Sequence, residues 1–389
     1  MKSEMVSVGI VCRSVSSTYA RTDSTVVLIN TSDVFEGKIL NHKCVTNENL
    51  KGQFKKTFCP NDILYSEIRP ANKRYAFVKE EDVHNYIAST KLMVIRADER
   101  KVLPSYLYAY LTMPSVLAEL QRQAESRSGT FPQITFAEVA ALLMPLPSLP
   151  TQRKIAAILS SLDDKIENNN AICRNLEEQA AALYRSWFVD FEPFGGQRPS
   201  SWIERDIYSV AEIIYGAPFA SKLFNREKRG TPIIRIRDLK IQDSEVYTDE
   251  IHPKAYVISP GDIVVGMDGE FQPYIWGGVV GLLNQRVCVF RNRRSKGEFF
   301  LYFTIRPQLD FIQKTEMATT VIHIGKQDFD AFRVNLPPDD ILDRFDALTH
   351  PLYDRIISLR MENRRLSILR DILLPKLMRG EIDVENNIA

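Results

Sequence analysis

The stretch "LPSLPTQRKIAAILSSLDDKIENNN", residues 146–170, decides the fold, because it returns as "LPPDDILDRFDALTHPLYDRIISLR" at residues 336–360. Set one above the other at an offset of 190, the two need no gap. Leu146-Pro147 falls on Leu336-Pro337, Ile155 on Phe345, Leu162 on Leu352, Asp164 on Asp354 and Lys165-Ile166 on Arg355-Ile356. Further along, Leu176 falls on Leu366 and Leu183 on Leu373. From Pro150 to about Phe191 no Gly or Pro interrupts the chain, and Thr151 is the expected N-cap of a long helix. Ile155, Leu162, Asn169, Leu176 and Leu183 recur at sevens, as do Leu159, Ile166, Cys173, Ala180 and Trp187. These are the two core positions of a left-handed coiled-coil seam. The second copy places Phe345, Leu352, Leu359, Leu366 and Leu373 on one line and Thr349, Ile356, Asn363, Arg370 and Leu377 on the other. At about 1.5 Å per residue each helix spans roughly 55 Å.

An antiparallel pairing of the two copies in one register sets Asn169 against Asn363, Cys173 against Leu359, Leu176 against Ile356, and Trp187 against Phe345. The layers of Leu183 with Thr349 and Leu162 with Arg370 break the apolar run. A buried Asn layer fixes register at some cost in stability; the alternative turns both Asn side chains to solvent. Ile158, Ile172, Tyr184 and Phe188 lie off the first seam, and Leu348, Ile357, Ile368, Leu369 and Ile372 off the second. They pack on adjoining globular units or form a surface for a partner's helices.

The flanking segments are rich in β-branched and aromatic residues broken by Gly, Pro, Asn and Asp, as strand-rich domains are. They share a weaker signature. "FCPNDILYSEIRP" (58–70) parallels "ISPGDIVVGMDGE" (258–270), and "SGTFPQITFAEVAALLMPLP" (128–147) parallels "ATTVIHIGKQDFDAFRVNLP" (318–337). The expected fold class is α+β: two strand-rich domains joined by two long helices in an antiparallel coiled coil, an internal repeat with pseudo-two-fold character. The expected boundaries are 1–147, a central helix 148–193, 194–336, a distal helix 337–383, and a tail 384–389, with "EPFGGQRPSS" (192–201) as the hinge.

A chain of 389 residues implies two to four domains. Its 44% hydrophobic and 25% charged residues suit a globular protein. No apolar run approaches the roughly 20 residues of a membrane span, and "MKSEMVSVGIVCRSVSS" lacks the core of an export signal, so a cytoplasmic location and no membrane partner are expected. Five scattered cysteines without C-x-x-C read as free thiols. Net charge is +1, yet residues 51–78 carry six Lys/Arg against two acids, 219–240 seven against two, and 286–297 five against none. Three basic runs outside the helices raise the odds of a polyanion partner.

The arrangement resembles the specificity subunit of type I restriction–modification systems. The resemblance spans essentially the whole chain. It rests on "LPSLPTQRKIAAIL" followed by "DDKIENNN", on "LYRSWFVDFEPF", on "LLPKLMRGEI", on "GDIVVGMDGEF…GLLNQRV" (261–287) and on "NDILYSEIRPANKRYAFV" (61–78). One departure is the extreme N-terminus, which lacks the tryptophan-led opening seen at "SWIERDIYSVAEIIYGAPF" (201–219). The resemblance implies that each globular unit is a target-recognition domain for one half of a split double-stranded DNA sequence. It implies that the paired helices act as a ruler and dock two methyltransferase subunits, and that a motor/nuclease subunit completes the enzyme. No cofactor is then expected in this chain: S-adenosylmethionine belongs to the methyltransferase partner, and ATP and Mg to the motor/nuclease partner. Rigid antiparallel helices would set half-sites about 34–36 Å apart, one turn of duplex.

Phosphate contacts come from Lys/Arg, Ser/Thr and amides, and base readout from Arg, Asn, Gln and short polar groups. The candidates in the first domain are Lys55, Lys56, Arg69, Asn72, Lys73, Arg74 and Tyr75, with Arg127, Ser128 and Thr130 in a second loop. In the second domain they are Lys222, Arg226, Lys228, Arg229, Asp268, Glu270, Gln272 and Tyr274, with Thr319, Thr320, His323 and Lys326 in the matching loop. Catalytic and metal sites are not expected. "NLPPDD" (335–340) departs from the Asn/Asp-Pro-Pro-aromatic loop of adenine methyltransferases, no phosphate-binding Gly-rich loop occurs, and the five His are scattered. The competing reading is a coiled-coil scaffold whose domains bind protein and not DNA.

Overall fold

The computed structural model describes residues 4–20, 22–47, 52–126, 132–315 and 323–384. They form two compact units: residues up to Asp164 together with those from Ser367 onward, and Lys165–Leu366.

In the first unit an antiparallel sheet runs in the order Cys12–Val15, Leu92–Ala97, Ile63–Ser66, Tyr75–Phe77. A second sheet orders Cys44–Thr46, Thr25–Ile29, Tyr86–Ser89 and Phe54–Lys56, with the middle two parallel. The second unit repeats this plan. Ala211–Tyr215, Val287–Asn292, Ile263–Gly266 and Pro273–Ile275 take the same order and directions. Its other sheet is five-stranded and again contains one parallel pair, Thr231–Ile234 with Gly281–Leu283. Each unit also pairs a first strand with its last: Glu4–Ser7 with Leu143–Leu146, and Ile203–Asp206 with Arg333–Leu336. The N-terminus therefore supplies the opening strand without the tryptophan.

The matching strands Ile63–Ser66 and Ile263–Gly266 are buried along their whole length, since each sits between two neighbours. The turn that feeds them is the same in both units. Asn61 and Gly261 adopt left-handed backbone, φ 69° and 99°, a conformation open chiefly to Gly and Asn. The following Asp62 and Asp262 carboxylates accept from the backbone N–H of Cys59 (2.7 Å) and Ser259 (2.8 Å). Helices cover the sheets differently. After its strand Leu92–Ala97 the first unit carries two helices in succession, Pro104–Leu111 and Pro114–Glu125, whereas after Val287–Asn292 the second carries the single helix Glu298–Thr315, with Pro307 inside it.

The long helices run Leu149–Phe188 and Asp339–Met378, 40 residues each. Within the first unit, Ile155 and Leu159 share a core with Leu374, Leu377 and Met378. Within the second, the Asn169 Nδ2 donates to Asn363 Oδ1 at 2.8 Å, Cys173 Sγ lies 3.8 Å from the Ile356 carbonyl, and the Trp187 and Phe345 rings are 5.9 Å apart. Numbers rise along one helix as they fall along the other, so the helices are antiparallel. The Asn layer is buried, with Asn169 also donating to Glu362 and Asn363 to Asn170 (both 2.9 Å).

Two expectations about the first long helix need adjustment, and the two polar layers find partners. Ser148, not Thr151, caps the first long helix: its hydroxyl lies 3.4 Å from the Thr151 N–H, and Thr151 stands inside the helix. That helix ends at Phe188, short of Phe191, whose φ of 53° cannot continue it. Arg370 escapes its apolar layer by reaching Asp163, Nη1 to Oδ1 2.8 Å. The buried Thr349 hydroxyl donates to the Phe345 carbonyl of its own helix, 3.0 Å. The off-seam residues fall into two groups. Ile158, Ile172, Tyr184, Phe188 and Ile357 pack on the globular cores, while Leu348, Ile368, Leu369 and Ile372 are exposed. All five cysteines are unpaired.

Candidate nucleic-acid interface

Both buried strands lead into a hairpin loop that carries several of the expected contacts. In the first unit the loop runs from Ser66 to Tyr75 and is closed by Ser66 N–H to the Arg74 carbonyl, 2.8 Å. Pro70 is buried at the start of a 3-10 turn, Pro70–Asn72, and Arg69 and Lys73 on either side adopt left-handed backbone. This pushes Arg69, Asn72 and Lys73 to the surface. Lys73 pairs with Glu36 at 2.8 Å, and Arg74 donates to the Ser32 carbonyl while lying over the Phe35 ring.

Two residues named from the sequence face inward instead. Tyr75 is 7% exposed and stacks on Tyr65 at 5.8 Å, and burial pushes its phenol up from the ordinary range. Lys56 gives its ammonium to the Thr90 and Leu92 carbonyls (3.0 and 2.8 Å), with Glu67 at 3.9 Å. Burial, opposed by Glu67 and aided by Lys91, holds that ammonium below its usual value. Its alternation partner Lys55 is exposed and makes no ion pair among the described residues. The reason is register: successive strand residues face opposite sides, so only one of two adjacent lysines can point out.

The second hairpin runs from Gly266 to Pro273. Asp268 pairs with His323 (2.5 Å) and lies 3.6 Å from Arg286. Glu270 and Gln272 are exposed and hydrogen-bonded to each other, and Phe271 is buried beneath them. Tyr274 is half-buried on the outgoing strand, its phenol pushed up by burial. Lys326 is drawn to Asp330 (2.8 Å) and the Tyr208 ring. Lys222, Arg226, Lys228 and Arg229 form a separate exposed cluster. Asn225 shapes it: its amide donates to the Arg229 carbonyl and its oxygen accepts from the Arg229 N–H, both at 3.0 Å. Arg127, Ser128, Thr130, Thr319 and Thr320 lie outside the described residues.

Each hairpin is braced by the segment leading to the last strand. Ile134 N–H donates to the Glu67 carbonyl and Ile324 N–H to the Met267 carbonyl, both at 2.9 Å. The neighbouring strand turn contributes Lys91 in one unit and Arg286 in the other: Glu67 N–H donates to the Lys91 carbonyl and Met267 N–H to the Arg286 carbonyl. Lys91 and Arg286 were not among the sequence candidates. The signal was present, since each stands just ahead of a paired strand, "LMVIRA" and "VCVFRN".

Below the hairpins the two units diverge. Asp62 takes Arg96 in a two-pronged pair, 2.7 Å at both oxygens. Asp262 instead accepts from the Tyr256 hydroxyl at 3.2 Å, and Arg291 lies over that tyrosine ring. Burial raises the Asp262 carboxyl, with the Ser259 amide, Tyr256 and Arg291 opposing. Among the described residues no group of His, Cys, Asp or Glu is placed to hold a metal, and no helix is long and apolar enough to cross a membrane.

The family model described as the type I restriction modification DNA specificity domain matches twice, over residues 16–178 and 199–357. The specificity subunit of type I restriction enzyme HindI from Haemophilus influenzae is 31% identical, over 92% of this chain and 94% of its own. The MjaIX specificity subunit from Methanocaldococcus jannaschii is 27% identical, over 73% of this chain and 70% of its own. Among solved structures, the type I restriction-modification system S subunit from M. genitalium has a TM-score of 0.51 at 14% identity and covers 97% of this chain and 96% of that one, a likeness of fold alone. Two strand-rich units with one framework, antiparallel long helices and a doubled family match lead to one statement: the chain belongs to the type I restriction modification DNA specificity family.

Proposed function

We propose that this chain reads a split, asymmetric DNA sequence and directs the methylation of adenine, and restriction, by partner subunits of a type I complex. DNA target recognition is the role of its family, and the chain is the recognising component, not the catalytic one. The observation that carries the finer reading is that one hairpin framework occurs in both units with different side chains on it. Exposed Arg69, Asn72 and Lys73 occupy one loop, and exposed Glu270 and Gln272, with half-buried Asp268, the other. Equal frames meet the duplex in equal fashion, and unequal side chains select unequal half-sites.

The domains 1–147 and 194–336 are then the two recognition modules, and the segments 148–193 and 337–383, which carry the long helices, the spacer that sets half-site separation and docks two methyltransferase subunits. S-adenosylmethionine is held by those subunits, and ATP and Mg by motor/nuclease subunits; the site of action is the cytoplasm. Of the named residues, Lys55, Arg69, Asn72, Lys73, Lys222, Arg226, Lys228, Arg229, Glu270 and Gln272 are exposed and form the contact set, with Arg74, Asp268, Tyr274, His323 and Lys326 supporting it. Arg127, Ser128, Thr130, Thr319 and Thr320, outside the described residues, are further proposed contacts. Lys56 and Tyr75 are left out because their polar ends serve the interior. The test is to map methylated adenines in cells co-expressing the chain with its methyltransferase. The expected result is a two-part motif whose gap lengthens when one heptad is inserted into both helices; no split motif would overturn the proposal.

A further inference from the structure

The hairpins have a second brace that neither the sequence pattern nor the family match assigns. Gln121, on the helix Pro114–Glu125, accepts from the Ala71 N–H at 3.1 Å. Gln313, on the helix Glu298–Thr315, accepts from the Phe271 N–H at 2.8 Å. The two helices are built differently, one of a broken pair and one continuous through Pro307, and the two loops share no residue between Ile68–Asn72 and Asp268–Gln272. Yet each places a glutamine oxygen on the main chain at the crest of its hairpin. Gln121 is itself oriented by donating to Glu125 at 2.7 Å, which turns its oxygen towards the loop.

We infer that Gln121 and Gln313 are positioning residues for DNA reading, each holding the crest of one recognition hairpin in the conformation that meets its half-site. This rests on the proposed DNA-reading role of the hairpins. The geometry explains why the latch belongs to reading more than to stability. Ala71 is exposed, so its N–H can bond to water when Gln121 is lost, and the fold keeps its buried contacts. Phe271 is buried, so loss of Gln313 also strands its N–H and costs some stability as well as placement. What is lost is the fixed placement of the neighbours Arg69, Asn72 and Lys73, or of Asp268, Glu270 and Gln272, which lie within three residues of the latched amide. A base contact depends on that placement, because a two-pronged hydrogen bond tolerates little displacement. A phosphate contact tolerates more. The latch therefore acts on discrimination, one half-site at a time.

The experiment uses the complex of the full chain with its methyltransferase partner. The target is first mapped by methylation. Binding is then measured to that duplex and to duplexes with one or the other half scrambled, for the unaltered chain and for Gln121→Met, Gln121→Glu, Gln313→Met and Gln313→Glu. The methionine variants keep length and remove the acceptor; the glutamate variants keep the acceptor and add charge. Each methionine variant is expected to lower discrimination at one half-site by about three- to tenfold, a different half for each, while leaving the other half near that of the unaltered chain. The melting temperature should stay near the unaltered value for Gln121→Met and fall for Gln313→Met, whose partner amide is buried. Gln313→Glu is expected to keep discrimination while weakening all duplexes alike, whereas Gln121→Glu, which loses the bond to Glu125 that orients it and gains a carboxylate beside it, is expected to lose discrimination as Gln121→Met does. Methionine variants that discriminate normally at both halves, or that damage both halves equally, would overturn the latch. Absence of any split target for the unaltered chain would overturn the proposed function instead, so the two failures are distinct.

Discussion

In the first unit the hairpin loop presents Arg69, Asn72 and Lys73, whereas the matching loop of the second presents Asp268, Glu270 and Gln272. The strands beneath, the left-handed turn at Asn61 or Gly261, the capping aspartate and the brace from Ile134 or Ile324 are common to both. The difference teaches where the chain is free to vary. Main-chain bonds and buried strands specify the frame, and the exposed crest is where the two units differ, which is why the proposed reading gives it selectivity. A further consequence follows for charge. Apart from Lys55, the exposed cationic candidates of the first unit sit on the hairpin itself, while most of those of the second gather in the loop held by Asn225. Phosphate binding should therefore come from different places in the two halves.

The strongest way to break the comparison lies in the capping aspartates. Asp62→Ala removes the cap on Cys59 and leaves Arg96 without its two-pronged partner. We expect a loss of about 3 kcal/mol in urea unfolding, against about 1 kcal/mol for Asp262→Asn, which keeps an oxygen for Ser259 and Tyr256. Equal losses would mean that the two turns depend on their aspartates in the same way after all.

Next in size is a difference between the long helices. At the offset of 190, Ala156 corresponds to Asp346, which is 4% exposed and has Arg294 Nε at 3.6 Å. Burial, the largest influence, pushes the Asp346 carboxyl up from 3.8 to about 6, with Arg294 opposing. The folded state thus holds a proton at pH values where the unfolded chain has lost it. Stability contributed by this group is full below about pH 4 and falls as pH rises to about 6. Asp346→Asn should remove that fall and raise stability at pH 8 by on the order of 2 kcal/mol, read from thermal unfolding at pH 4, 6 and 8. A pH profile that does not change would refute the assignment.

The Asn layer sharpens the comparison further. Asn169→Leu should cost about 1–2 kcal/mol by stranding Asn363, while the double change Asn169→Leu, Asn363→Leu should recover most of it. A double-mutant cycle with no coupling would show that the layer does not act as a pair. Smallest in stability, under about 0.5 kcal/mol, is Lys222→Ala. Its expected effect is on duplex binding, where the slope of log affinity against log salt should fall by about 1 with no change of preferred sequence. An altered preference would instead place Lys222 on a base.

The helices were legible because a seven-residue period is a local property: Asn169 and Asn363 could be set against each other from spacing alone. The sheet framework was legible only as resemblance between short segments, since strand order depends on pairings far apart in the chain. Lys56 and Tyr75 misled because composition says nothing about which face a strand residue takes. Gln121, Gln313, Lys91 and Arg286 were passed over because their partners, Ala71, Phe271, Glu67 and Asp268, meet them only after the sheets have closed. The Asp62–Arg96 pair was hidden for the same reason, as it joins two strands across a register no local pattern reveals.

The first compact unit is completed by Leu374, Leu377, Met378 and Val384, and Lys154 reaches the Val384 carbonyl at 3.3 Å. The second unit, by contrast, is one unbroken run of chain. Translation therefore delivers the two in an order opposite to their readiness. The module synthesised first must wait, its apolar floor uncovered, until nearly four hundred residues have left the ribosome, while the module made second can close at once. A polypeptide released early, at any point before that last turn, would carry one finished reader and one open one.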